Sequence, residues 1–250
     1  MPVITVSLQK GGVGKSTTAQ AIAENLGANH KVLLIDLDSQ GNVTYSSGVD
    51  TPALTITDVL GYDCSPADAL IPCAHYDLLA ADDYLTNVER DAQVPPTLLR
   101  ETIASIRNQY EYIIIDTPPA LGNLSLNALV ASDYVIIPTD SRPYAMQGIS
   151  KLCDTVQSVQ KALNPALKVL GILLVKYHSR SVLNRDIRDM IADYAKQMNT
   201  KIFETSIRES IAVPEAQTVR QSLNDYAPKS KPAADYKALA SEIERSISHE

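Results

Sequence analysis

The segment Lys10-Gly11-Gly12-Val13-Gly14-Lys15-Ser16-Thr17 constrains this chain more than any other. It follows a β-branched run, Val3-Ile4-Thr5-Val6, and opens an alanine-rich helical pattern from Thr17 to about Leu26. A glycine loop between a strand and a helix binds phosphate for physical reasons. Successive backbone N–H groups cradle the anion, and the positive end of the helix adds to the attraction. Lys15 is placed to hold the β- and γ-phosphates and Ser16 to ligate Mg²⁺. Position 9 is Gln, so the G-x-x-x-x-G-K-[ST] form is not met, but the core Gly12-Val13-Gly14-Lys15-Ser16 is. Lys10 is an extra ammonium that an ordinary phosphate loop does not need; it faces solvent, a counter-ion or a nucleotide.

Apolar runs of strand length recur at Lys31–Asp36, Tyr76–Ala80, Tyr112–Asp116, Tyr134–Pro138 and Val169–Val175. Helical patterns lie between or after them at Thr97–Arg107, Gln147–Ala162, Ser181–Met198 and Pro232–Ile247. Near-continuous Val/Ile/Leu runs alternating with amphipathic helices predict parallel strands covered on both faces. No linker, low-complexity stretch or repeat divides the sequence, so the expectation is one doubly wound α/β domain over residues 1–250 with a mostly parallel sheet. With 45% apolar and 20% charged residues, a sizeable core is available. No apolar run approaches the ~18 residues of a membrane span, and no signal peptide is expected. Cys64, Cys73 and Cys153 lack metal-type spacing and read as reduced thiols of a cytoplasmic protein.

The formal net charge is −7, but it is uneven: residues 1–175 hold 10 basic and 18 acidic groups, residues 176–250 hold 12 and 11. A local basic patch in the last third is compatible with that balance.

In doubly wound sheets ligands bind beyond the carboxyl ends of the strands, and polar residues gather there. Asp116 follows four apolar residues, which suits an aspartate holding Mg²⁺ through its water shell. Pro118 and Pro119 stiffen the next loop and Gly122 supplies one flexible joint, a combination suited to sensing a γ-phosphate. Asp36 and Asp38 share one side of an extended segment. One of them near Mg²⁺ and the other orienting a water would serve phosphoryl transfer.

The stretches KGGVGKST, DLDSQGN and IIIDTPPALGNLSLNAL resemble the ParA/Soj/MinD group of deviant Walker A ATPases, nearest to Soj-like ParA proteins. VKYHSRSVL, SIRESIAVPEA and DYAPKSKPAADYKALASEI resemble that branch's late segments, so the likeness spans nearly the whole chain. It implies a P-loop NTPase fold, ATP/ADP and Mg²⁺ as cofactors, and slow, partner-stimulated, Mg²⁺-dependent hydrolysis. It assigns Lys10 to reach a partner's phosphates across an ATP-sandwich homodimer, Asp38 to position the hydrolytic water, Asp36 to support the metal's water shell, and Asp116 to the Walker B role. The nucleotide would be held by Lys10 to Thr17, namely Lys10, Gly11, Gly12, Val13, Gly14, Lys15, Ser16 and Thr17. Adenine contacts are placed in the loop Ser206–Val213, with Ile207 and Arg208 as candidates. Nonspecific DNA contact falls to Arg180, with Arg185, Arg208 and Lys229 as further candidates. The family's second DNA-binding arginine corresponds to Ala212 here.

The partners implied are nonspecific DNA and a ParB-like or cargo-adaptor protein, in a cytoplasmic, nucleoid-associated protein driving plasmid or chromosome segregation. With the first strand beginning at Val3, no N-terminal helix-turn-helix extension is expected. Two alternatives stay open: nucleoid-based positioning of a protein cargo, and a MinD-like membrane-surface ATPase. The tail from Leu239 to Glu250 is amphipathic but acidic and lacks an aromatic to insert, which weighs against the membrane. An iron–sulfur role like that of nitrogenase iron proteins lacks the necessary cysteine pairs, and the four histidines suggest no catalytic pairing.

Overall fold

The structure, a computed structural model, describes residues 1–142, 144–179 and 181–248. In chain order the elements are β1 (Val3–Val6), α1 (Lys15–Leu26), β2 (Val32–Asp36), α2 (Asn42–Ser46), α3 (Ile56–Leu60), β3 (Leu70–Pro72), β4 (Asp77–Leu79), α4 (Leu85–Arg90), α5 (Leu98–Arg107), β5 (Tyr112–Asp116), α6 (Asn123–Ala131), β6 (Tyr134–Thr139), α7 (Ala145–Ala162), β7 (Lys168–Leu174), α8 (Val182–Gln197), α9 (Ala212–Thr218), α10 (Leu223–Tyr226) and α11 (Lys231–Ser248). The strands form a single sheet in the order β3-β4-β2-β5-β1-β6-β7.

Every pairing is parallel except β3 with β4. The doubly wound α/β fold implied by the sequence is therefore what forms, with an antiparallel edge that the apolar pattern did not reveal. Three residues ending in Pro72 are too short for a periodic signal, and a proline is tolerated at an edge where no partner needs its N–H.

Side-chain alternation separates the two layers. Ile4, Val6, Leu34 and Ile114 pack on one face with Ile22, Leu26, Leu239 and Ile243 of α1 and α11. Val3, Leu33, Ile35, Ile113 and Ile115 pack on the other against Leu99, Ile103 and Leu124 of α5 and α6. Further along that second face, Val135, Ile137, Ile172 and Leu174 meet Ile149, Leu152 and Ile191 of α7 and α8. Strands covered by helices on both sides must be apolar throughout, which is why their runs are continuous.

Candidate nucleotide and metal site

The loop after β1 turns through two glycines in the left-handed region, Gly12 at φ 72° and Gly14 at φ 77°. An added Cβ at either would touch nothing within 4 Å, so the backbone dihedral, not crowding, demands glycine, and space is left over the loop. Val13 is fully buried and anchors the loop in the core beside Leu8. Helix α1 begins at Lys15, two residues before the apolar periodicity, and no side chain caps it. Its first N–H groups are thereby left for a ligand.

Lys15 is buried, and its Nζ donates to the Lys10 carbonyl at 3.1 Å. Burial lowers its pKa, opposed by the nearby Asp116 and Asp38 carboxylates. On the outer side of the loop, Lys176 Nζ, just past β7, donates to the Gly12 carbonyl at 3.0 Å. Gln217 Nε2 of α9 donates to Thr17 Oγ1 at 2.8 Å. Lys10 Nζ lies 2.8 Å from Asp140 Oδ1 beyond β6. Neither Lys176 nor Gln217 carried a sequence signal, because each contact joins segments more than 160 residues apart.

Asp36 and Asp116 are both fully buried, at the ends of adjacent strands. Asp36 is enclosed by its own loop: Oδ2 accepts from Thr44 N at 2.8 Å and Thr44 Oγ1 at 2.9 Å, and Oδ1 accepts from Asp38 N at 3.1 Å. Burial still raises its pKa to about 6 against those hydrogen bonds. Asp38 is buried, with Oδ1 accepting from Gln40 N at 3.1 Å. Neither oxygen of Asp116 has a hydrogen-bond partner. Its pKa is raised well above the carboxylate range by burial and then by Asp36, with the Ser16 hydroxyl and Lys15 near enough to oppose the rise. A buried carboxylate without partners costs several kcal/mol, and Asp116 beside Ser16 has the oxygen donors that a hydrated divalent cation takes.

Gly122 has an ordinary negative φ of −111°. Its missing side chain instead makes room for Glu89 of α4, whose carboxylate accepts from Leu124 N at 2.8 Å. The loop after Asp116 is thus braced where the sequence suggested a free joint.

In the last third, Ile207 is buried, and its N–H donates to Leu174 O at 2.8 Å, tying this segment to β7. The Arg208 side chain is held by Asp235 of α11, with Nε 2.9 Å from Oδ2 and Nη2 2.5 Å from Oδ1. The structure places Val213, Ala216 and Gln217 along a small cleft with Thr17 and Gln20 of α1. Arg185 is exposed at the start of α8 with Nη1 3.1 Å from Ser179 O, and Lys229 is exposed before α11. Arg180 lies outside the described residues. Ala212 is partly buried against the core. Tyr177 N donates to Ile207 O at 3.0 Å, so the segments leading to Arg185 and Arg208 run side by side.

Only a phosphate chain with a divalent cation answers the cradle, the lysines and the bare carboxylate together, which puts the molecule among the P-loop nucleotide-binding proteins. Residues 1–169 match the AAA domain family, and residues 123–248 match the 4Fe-4S iron sulfur cluster binding proteins of the NifH/frxC family. An uncharacterised Pseudomonas putida protein is 40% identical over 97% of this chain and 94% of its own. The chromosome-partitioning ATPase Soj of Thermus thermophilus is 34% identical over 96% of this chain and 94% of its own. A Mycobacterium smegmatis protein described as cobyrinic acid a,c-diamide synthase, solved with an ATP analogue and magnesium, is 32% identical, covers 96% of this chain and 93% of its own, and superposes with a TM-score of 0.82. The cell division ATPase MinD of Pyrococcus furiosus is 25% identical, covers 98% of each chain and gives 0.81. The chain belongs to the ParA/Soj/MinD family of P-loop ATPases. Within 123–248 its sole cysteine is Cys153, buried in α7 with the thiol pushed up to about 11 by burial, so these residues do not fit an iron–sulfur cluster.

Proposed function

We propose that this chain is a single-domain ParA-like ATPase, with ATP/ADP and Mg²⁺ as cofactors, that works in plasmid or chromosome segregation. The observation that carries the reading is Asp116, a fully buried carboxylate with no hydrogen-bond partner, beside Ser16 and Lys15 at the phosphate loop.

Bound Mg²⁺ would be held by Ser16 and, through its waters, by Asp116, and would supply charge neutralisation at the phosphates. The remaining work falls to the chain. The amides of Gly11 to Thr17 orient the phosphates, and Lys15 compensates their charge. Asp36 keeps Asp38 in place through the Asp38 N–H, and Asp38 holds the attacking water. Lys10 reaches the phosphates of a second subunit, so two chains close on two nucleotides with twofold symmetry. In that ATP-bound dimer the chain binds nonspecific DNA, and a ParB-like or cargo-adaptor protein stimulates hydrolysis and release at the nucleoid in the cytoplasm. Arg185, Lys229 and Arg180 are the DNA contacts, with Arg208 contributing through a side chain already oriented by Asp235.

The apolar face of α11 is turned inward. Tyr236, Leu239 and Ile243 are buried against the core, leaving no apolar stripe for a membrane. No helix among the described residues is long and apolar enough to cross one.

The test is binding to a nonspecific duplex with ADP and with ATP, for wild type and Asp38→Ala, at two salt concentrations. The expected result is ATP-dependent binding, strongest in Asp38→Ala, that weakens steeply with salt as phosphate contacts release counterions. A protein that dimerises with ATP but does not bind DNA would overturn the DNA assignment.

A further inference from the structure

Lys10 is not a free arm. Its backbone is fixed, with N donating to Leu8 O at 2.8 Å and its carbonyl accepting from Lys15 Nζ. Its side chain ends on Asp140 Oδ1 at 2.8 Å. The pairing follows from topology: β1 and β6 are register neighbours, so the loops leaving their carboxyl ends emerge side by side. Asp140 is the deeply buried member, with 4% of its side chain exposed against 26% for Lys10.

Such a carboxylate is strongly destabilising if its partner leaves. Asp140 is protected from that outcome. Its second oxygen, Oδ2, accepts from Arg142 Nε at 2.6 Å and also meets Arg142 Nη2. The Arg142 side chain is largely exposed and makes a forked contact of the kind that holds a carboxylate on its own. Burial pushes the Asp140 pKa up, but hydrogen bonds from Arg142 and Lys10 bring it below the usual value, so the group is anionic at neutral pH.

We propose that Asp140 is a positioning residue that holds Lys10 within its own subunit, and that Arg142 keeps the Asp140 carboxylate satisfied when Lys10 leaves for a partner's nucleotide. The proposal rests on the ATP-dimer reading above. It makes the carboxylate and its exposed neighbour opposite in effect: Asp140 restrains Lys10, and Arg142 lowers the cost of its release.

The experiment uses the full chain as wild type, Asp140→Asn and Arg142→Gln, with melting curves for each and two readouts. The first is the rate at which Lys10 is acylated by an amine-reactive reagent in the nucleotide-free monomer, read by peptide mass spectrometry. The second is the dimer dissociation constant with Mg-ATP by sedimentation equilibrium, with Asp38→Ala added throughout to prevent hydrolysis. Asp140→Asn is expected to raise Lys10 acylation and tighten the dimer, each by roughly tenfold, as loss of one charge-assisted hydrogen bond would give. Arg142→Gln is expected to slow acylation and weaken the dimer, and because its side chain is exposed it carries the test if Asp140→Asn does not fold. Shifts in the same direction for both variants, or no change in acylation, overturn the proposal while leaving an ATP dimer intact. A wild type that stays monomeric with ATP, even with Lys10 acylation rising in Asp140→Asn, overturns the dimer reading and with it the release step.

Discussion

Asp36 and Asp116 are register partners at the ends of adjacent parallel strands, yet their carboxylates have opposite surroundings. Asp36 is consumed by the loop it starts, with both oxygens accepting hydrogen bonds from Thr44 and Asp38. Asp116, one strand over, has none. One carboxylate builds the loop that carries Asp38, and the other keeps both oxygens unpaired.

Asp116→Asn is therefore expected to stabilise the nucleotide-free protein at neutral pH, because the amide does not carry the proton-linked cost of burying an ionisable carboxyl group, while losing Mg²⁺-dependent hydrolysis. The pH dependence has a defined sign. The folded pKa of Asp116 is raised by burial, so above about pH 4, the unfolded value, the folded state binds more protons than the unfolded one. Wild-type stability falls as pH rises from there through the folded pKa, and the advantage of the variant grows across that window. Urea unfolding in EDTA between pH 4.5 and 8 checks both statements; a constant difference across the range contradicts them.

Lys15→Ala is expected to weaken ATP binding by roughly 100-fold, since it removes a charge-assisted phosphate contact at a buried position. Lys10→Ala should change ATP affinity only a few-fold and abolish ATP-dependent dimerisation. Titration calorimetry beside light scattering separates the two effects.

Thr44→Val keeps the shape of the side chain but strips one hydrogen bond from Asp36 and leaves Ala81 N, now 2.9 Å from Thr44 Oγ1, without its acceptor. The expected cost is about 1–3 kcal/mol of stability, with slower hydrolysis because the Asp36–Asp38 geometry loosens. Denaturant unfolding and single-turnover hydrolysis report the two losses.

Lys176→Ala removes the hold on the Gly12 carbonyl at an exposed site. Nucleotide affinity should drop only about two- to fivefold, as surface charge contacts do, with little change in melting temperature. A binding titration in low and high salt decides it, the difference from wild type shrinking as salt rises.

His30 bridges Glu111 and Glu244 at 3.0 and 2.7 Å, at the opposite end of the sheet from the nucleotide site. Its pKa is raised, first by the hydrogen bond to Glu111 and, against burial, by that to Glu244. The stabilisation is fully present below about pH 6.5, the unfolded value, and is lost as pH rises through the folded pKa. His30→Gln should flatten stability between pH 6 and 8, as followed by thermal melts.

The parallel strands were legible because burial on both faces leaves an uninterrupted mark in sequence, as in Tyr112–Asp116. The phosphate loop was legible for another reason: its chemistry is contiguous from Lys10 to Thr17. The edge strand Leu70–Pro72 and the single-turn helices α2 and α10 are shorter than any period they could display. The Arg208–Asp235 pair was not legible, because sequence shows a charge and not its partner, and Asp235 stands 27 positions away. The Lys10–Asp140 pair was hidden in the same way: only the β1–β6 register brings Asp140 to Lys10.

Helix α11 is translated after every other element described, yet it lies under the start of the site. The Tyr236 hydroxyl is 3.3 Å from Thr18 Oγ1 in α1, Asp235 holds Arg208, and Glu242 accepts the backbone N–H groups of Glu204 and Thr205. A nascent chain lacking α11 would carry the whole phosphate-loop motif and still lack Leu239 and Ile243, which share a core with Ile22 and Leu26 of α1. A ribosome stalled short of residue 236 would thus hold a complete phosphate-loop motif beside an apolar surface open to chaperones or proteases.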